Sequence, residues 1–224
     1  MFKKHAWKIF LITAVVLFGG SFYIAEQSTK DADVGVEITE HVKGNPDATV
    51  VVREYADFQC PACAQFHPIT KEFLAEYGDQ VRFEFVHFPL VTLHPFAVPA
   101  AKAAEAAGQQ DKFFEMHDKL FENQQTWSAS ANPTAFFIQY AEELELDVET
   151  FRRHMRAPSI DAQVEANFRE AEAKGFTGTP TFELNGEKME YRSFDDWRNA
   201  IIAAIGGPMG SSTVDTTSDV EFAI

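Results

Sequence analysis

The stretch ATVVVREYADFQCPACAQFHPITKEFLAEYG, residues 48–78, limits the fold more than any other part of the chain. Its β-branched run, Ala48–Tyr55, reads as a buried strand. Phe66, Ile69, Phe73 and Leu74 then recur at helical spacing as far as Gly78, a helix stop. Between the two lie the only cysteines of the chain, Cys60 and Cys63, separated by Pro61 and Ala62. Proline is favoured at the first helical position, where its missing N–H costs nothing. The pattern therefore predicts a strand that hands over to a helix at Cys60.

The rest of the chain fits an α/β architecture around this unit. Gln80–Phe88 alternates Val81, Phe83, Phe85 and His87 against Arg82, Glu84, Val86 and Phe88, a second strand that completes a β–α–β half over 48–94. Residues 26–47 are polar and turn-rich, a linker with a short edge strand expected at Val36–Ile38. Residues 95–175 turn helical, with Phe113, Met116, Leu120 and Phe121 on one stripe, Asp147 and Ser159 as candidate N-caps and Gly175 as a stop. They predict an inserted helical subdomain. Strand character returns in GTPTFELNGEKMEY, where Asn185-Gly186 is a hairpin signal, and a closing helix capped by Ser193 ends a β–β–α half over 176–207. Residues 208–224 lack periodicity and read as an acidic, disordered tail.

The first 25 residues are a basic flank followed by Ile9–Ala25, which carries no charge. Such a run is an export signal or a membrane anchor. Tyr23 occupies the third position back from the best cleavage point, where a small residue is needed, so an uncleaved single-pass anchor is expected, with residues 26 onward outside the cytoplasm. Secretion after cleavage is the alternative. No cysteine follows the run, which excludes a lipoprotein anchor. The net charge of −15, despite Lys3, Lys4 and Lys8 in this segment, argues against a nucleic-acid partner.

Export changes the meaning of two cysteines three residues apart, because extracytoplasmic compartments permit disulfides. Closing so short a loop removes little unfolded-chain entropy, so a structural staple explains the pair poorly. The reactive form of cysteine is the thiolate, and its pKa falls at a helix N-terminus. Cys60 is therefore the expected exposed nucleophile, and Cys63, one turn deeper, the resolving thiol. A structural zinc would need four ligands, whereas Cys60, Cys63 and His67 supply three and His87 or His94 must come from elsewhere. A c-type haem is excluded by Ala64 after Cys63. An inert pair of core cysteines is the remaining alternative.

Three features carry a resemblance. VVREYADFQCPAC resembles the strand, acid, Phe and Cys-Pro-x-Cys of the thioredoxin superfamily; GTPTF at Gly178–Phe182 resembles its late Thr-Pro pair; the helical insertion resembles that of the DsbA-like thiol–disulfide oxidoreductases. The likeness runs from about Val36 to Gly207. It implies a thioredoxin fold with an inserted helical subdomain, and a cis bond before Pro180 that sets the Thr179 backbone beside the sulfurs. Pro61, Ala62 and Thr179 would border the substrate. Glu54, on the strand face of Val50 and Val52, would be a buried acid that shuttles the proton of Cys63, unless it is a strand-end surface carboxylate. Pro68 resembles a helix-kink proline. Asp57 and His67 are weaker candidates, His67 being expected on the helix surface.

The resemblance implies disulfide exchange with exported cysteine-containing proteins, the oxidase direction ahead of reductase and isomerase. A redox partner would reset the pair. No metal or organic cofactor is expected, and the chain is expected to act as a monomer. A peptide-holding or chaperone-like module and a metal-delivering maturation factor are the alternatives on the same fold. Ala62 departs from the His of strongly oxidising members, which predicts a potential between about −270 mV and about −120 mV, the thioredoxin and DsbA values.

Overall fold

A computed structural model of the chain describes residues 31–206; the expected anchor over 1–25 and the expected tail over 208–224 lie outside them. Five strands form one sheet: β1 (His41–Gly44), β2 (Val50–Ala56), β3 (Val81–His87), β4 (Thr181–Leu184) and β5 (Glu187–Lys188), in the order β1-β3-β2-β4-β5. β2 and β3 are parallel, so the chain must cross over between them, and α1 (Pro61–Tyr77) is that crossover. The helices α2 (Ala97–Gly108), α3 (Phe113–Glu122), α4 (Gln124–Ser128), α5 (Pro133–Glu143), α6 (Val148–His154) and α7 (Pro158–Ala173) fall between β3 and β4. α8 (Phe194–Ala204) closes the fold. This is the α/β thioredoxin architecture the sequence predicts. Among the described residues no helix is long and apolar enough to cross a membrane.

The strand register aims the two halves at one another. β4 runs antiparallel to β2 with Phe182 opposite Glu54 and Thr181 opposite Tyr55, which carries Pro180 to the end of β2 where the cysteines begin. The β4–β5 turn is the expected hairpin: Asn185 and Gly186 both have positive φ, 52° and 84°, as a type I′ turn requires. Asn185 also fastens itself to β2, its side-chain oxygen accepting from the Val51 N–H at 2.8 Å.

Two local expectations fail for the same reason, a contact between distant segments. The edge strand forms at His41–Gly44 and not at Val36–Ile38, because Glu37 is tied to the end of α2 by reciprocal bonds with the Gln109 side chain at 2.6 and 3.0 Å. Gly44 ends that strand at φ +85°, where an added Cβ would lie 2.5 Å from the Val81 carbonyl oxygen. Ser159 is not an N-cap, since α7 starts a residue earlier at Pro158; its N–H and hydroxyl both donate to Asp33. The described part of the expected linker thus packs on the helices, with Ala32 in the core. Asp147 and Ser193 do cap, accepting from the N–H groups of Thr150 and Asp196.

Trp197 on α8 is fully buried against Phe66, Phe73 and Phe182, with ring centroids 5.8, 5.2 and 5.3 Å away. Its indole N–H has no hydrogen-bond partner. Trp197→Ala is therefore expected to cost about 3–5 kcal/mol in urea unfolding. Trp197→Phe should cost less than half of that, because it also removes a buried, unsatisfied donor. Equal losses for the two variants would contradict this packing of the core.

Candidate active site

β2 stops at Ala56 and the chain turns through Asp57, Phe58 and Gln59, a turn closed by the Cys60 N–H donating to the Asp57 carbonyl at 3.0 Å. Cys60 is the N-cap of α1, in extended conformation at φ −71° and ψ 122°, with Pro61 at the first helical position. The first turn of α1 holds no acidic side chain, so nothing on the helix neutralises its unpaired N–H groups. The turn is also held from outside. The Asp57 carboxylate, fully buried, accepts from the N–H groups of Gln59 and Leu90 at 2.7 and 2.8 Å and from Nδ1 of His94 at 2.7 Å. Gln124, at the start of α4, donates to the Phe58 and Cys60 carbonyls, both at 2.8 Å.

Cys60 and Cys63 are free thiols in this structure. Cys60 is more covered than its expected role as the exposed nucleophile required: 7% of it is accessible, against none of Cys63. Its cover is the Thr179 carbonyl, to which the Cys60 thiol donates at 3.3 Å. The Thr179–Pro180 peptide is cis, and the Tyr191 hydroxyl donates to the Pro180 carbonyl at 3.1 Å. Pro61 is exposed and Ala62 half-buried beside the pair. A groove of ≈ 500 Å³ runs alongside, lined by Pro61, Ala64, Gln65 and Pro68 on α1 and by Gln125 and Thr126 opposite.

Glu54 lies on the inward face of β2 with Val50 and Val52, 3% exposed, and not at a surface strand end. Burial raises its pKa to about 8, with the charge on Cys60 adding to the effect. Cys60 is lowered to about 6, chiefly by the hydrogen bond from the Cys63 thiol and, against the cost of burial, by the N–H groups of Cys63 and Ala62. Cys63 is pushed well above the ordinary thiol value by burial first, and then by its bond to Cys60 and the charges of Cys60 and Glu54. The shifts favour Cys60 as the group of the three that carries a negative charge, and on ionising it would give up its bond to the Thr179 carbonyl and accept from the N–H groups of the helix end.

The remaining sequence candidates fall elsewhere. His67 is buried rather than on the helix surface, and it faces Asp118 and His117 on α3. His87 is bound to Glu105 at 2.8 Å and His94 to Asp57. The tetrad of Cys60, Cys63, His67 and a further histidine is not assembled. Pro68 lies inside α1. Asp57 acts through the backbone of the turn. Gln124 and Tyr191 are not among the sequence candidates, since no local pattern marks a side chain that reaches a backbone carbonyl on another element.

Residues 37–203 match the model of the family described as Thioredoxin. Among solved structures, the fold is similar to a thioredoxin-like oxidoreductase from Silicibacter pomeroyi, with TM-score 0.64 and 28% identity over 79% of this chain and 98% of that one. It is also similar in fold to alpha-DsbA1 from Wolbachia pipientis, with TM-score 0.67 and 21% identity over 79% of this chain and 96% of that one. A stretch of Na(+)/H(+) antiporter NhaA 3 from Salinispora tropica is 41% identical over 149 residues, 66% of this chain. The chain spans about a fifth of the length of the curated relatives it matches, 22% in that case.

Proposed function

Since the chain belongs to the thioredoxin family and its fold is similar to that of alpha-DsbA1, we propose that it is a DsbA-like protein thiol–disulfide oxidoreductase working through Cys60 and Cys63, in the disulfide-forming direction. The observation that carries this reading is the placement of the pair: Cys60 is the N-cap of α1 beside the Thr179 carbonyl, one turn from the fully buried Cys63, and this placement lowers the Cys60 thiol and raises that of Cys63. Stabilising the Cys60 thiolate stabilises the reduced pair, and that makes the disulfide a better oxidant. An intermediate potential agrees with the lack of a histidine at Ala62.

In the proposed cycle a substrate thiolate attacks Cys60 Sγ of the closed disulfide. The Cys60–Cys63 bond breaks, a mixed disulfide forms, and Cys63 leaves and takes the proton of Glu54. The second substrate thiolate then attacks the substrate sulfur of the mixed disulfide and expels Cys60 as a thiolate. The substrate loses two electrons and the chain gains them, to be returned to a redox partner that carries an oxidant. The Thr179 backbone and the groove beside Pro61 can hold an extended substrate segment in line for attack. The uncharged run Ile9–Ala25 and the need for an oxidising compartment support action outside the cytoplasm, tethered to the membrane. Antiport is not part of this proposal, given the small share of the antiporters that the chain spans.

The test has two readouts. The oxidised chain should convert a reduced dithiol peptide to its disulfide while releasing two thiols of its own. Alkylation of the reduced chain should label Cys60 alone, with a midpoint near pH 6. A midpoint at the ordinary thiol value near 8.5, or a peptide left reduced, overturns the reading.

A further inference from the structure

We propose that His67, His117, Asp118 and Glu122 form a site for a borderline-soft divalent metal ion such as zinc(II), at the seam between α1 and α3. His67 comes from α1 and the other three from α3. One ligand atom from each of His67, His117 and Asp118 lies within 4.8 Å of the other two. His67 Nε2 is 3.7 Å from Asp118 Oδ1 and 3.9 Å from Glu122 Oε1, too far for hydrogen bonds, and it has no other partner although its side chain is only 6% exposed. His117 Nδ1 is 3.1 Å from the same Asp118 oxygen. With metal–ligand bonds near 2.1 Å, neighbouring ligand atoms of a tetrahedral ion stand ~3.4 Å apart. The observed gaps need only small side-chain movements to reach that spacing.

The chemistry of the set selects the ion. Two imidazoles with one or two carboxylates suit zinc and its first-row neighbours, whereas calcium takes six or more oxygen ligands. A buried imidazole nitrogen without a partner costs free energy, and an ion would relieve that cost at His67. The groove lined by His67, Lys71 and Glu122 gives the ion a way in. Two cations face the site. Lys71 holds Asp118 Oδ2 at 2.9 Å and Glu122 Oε1 at 2.8 Å, and Lys43 lies near enough to act on both histidines. Asp118 can keep Lys71 on one oxygen while the other meets the ion. Glu122 must exchange the lysine for it, and Lys71, half exposed, can withdraw into solvent. Lys71 is thus a built-in competitor. Neither cysteine takes part, so this site differs from one on Cys60 and Cys63, although it opens on the same groove that is proposed to hold the substrate segment.

The full chain, with the Cys60–Cys63 disulfide closed so that thiols cannot compete, would be titrated with Zn²⁺ by calorimetry and with Co²⁺ by visible absorption. One equivalent should bind. His67→Gln and Asp118→Asn should each weaken binding at least tenfold, Lys71→Gln should strengthen it, and Ca²⁺ should give no saturable binding. Asp118 is partly exposed, so Asp118→Asn serves if His67→Gln does not fold. The proposal is overturned if neither ion binds, if binding is unchanged in the variants, if Lys71→Gln weakens it, or if Ca²⁺ binds as well as Zn²⁺.

Discussion

Reduced Cys63→Ser, given substrate proteins that already carry their disulfide, is expected to accumulate as a mixed disulfide at Cys60, while Cys60→Ser falls to the uncatalysed rate of exchange. The Cys60 thiolate attacks the substrate disulfide and one substrate sulfur leaves as a thiolate. The asymmetry follows from burial. Cys60 is the sulfur that an attacking group can reach and the one whose thiolate is stabilised; Cys63 is fully enclosed and holds its proton. Without Cys63 the mixed disulfide can no longer collapse to the Cys60–Cys63 disulfide and release reduced substrate, so it decays only by attack of a substrate thiol or another external thiol. Electrophoresis without reductant, followed by mass spectrometry of the captured partners, reads this directly. A peptide-holding module on the same fold would bind partners equally in wild type, Cys60→Ser and Cys63→Ser and would trap none covalently.

Glu54→Leu is expected to make the oxidised chain more stable at pH 8 by several kcal/mol. In the folded chain the Glu54 carboxyl titrates near 8, against its ordinary 4.5. Between those values the unfolded chain has released the proton and the folded chain still binds it. Its contribution to stability is full below pH 4.5 and is lost as pH rises through 8. Each tenfold difference in proton affinity between the folded and unfolded chain corresponds to ~1.4 kcal/mol. With the disulfide closed, neither cysteine titrates and burial, the leading cause, remains. Urea unfolding at pH 5 and pH 8 should show a downward slope in wild type and none from this position in Glu54→Leu. Equal slopes would mean that Glu54 reaches solvent. On the proposed cycle the same substitution should also slow turnover, since Glu54 is the group proposed to exchange a proton with Cys63.

Much of the fold was legible because its strongest signals are local. The β-branched run of β2, the proline after Cys60, and Asn185-Gly186 each act on their own few residues. Alternation along β2 puts Glu54 on the face of Val50 and Val52 but leaves open its choice between burial and a surface strand end. What was not legible depends on a partner far along the chain. Asp33 takes the role that Ser159 was expected to play, Gln109 draws Glu37 away from the sheet, and α3 covers the face of α1 that carries His67. Periodicity tells that a face is apolar enough to bury; it does not tell which segment will lie on it, or that a histidine on its border will be enclosed as well.

The turn that carries Cys60 is fixed by the Asp57 carboxylate below and by Gln124 across the backbone carbonyls. A sulfur that changes partners against such a frame works in a constant field. On the proposed cycle the redox change falls on the sulfurs and their charge, within a turn whose backbone is held from both sides. The helix end is then a standing positive potential, and what changes against it is the charge on Cys60.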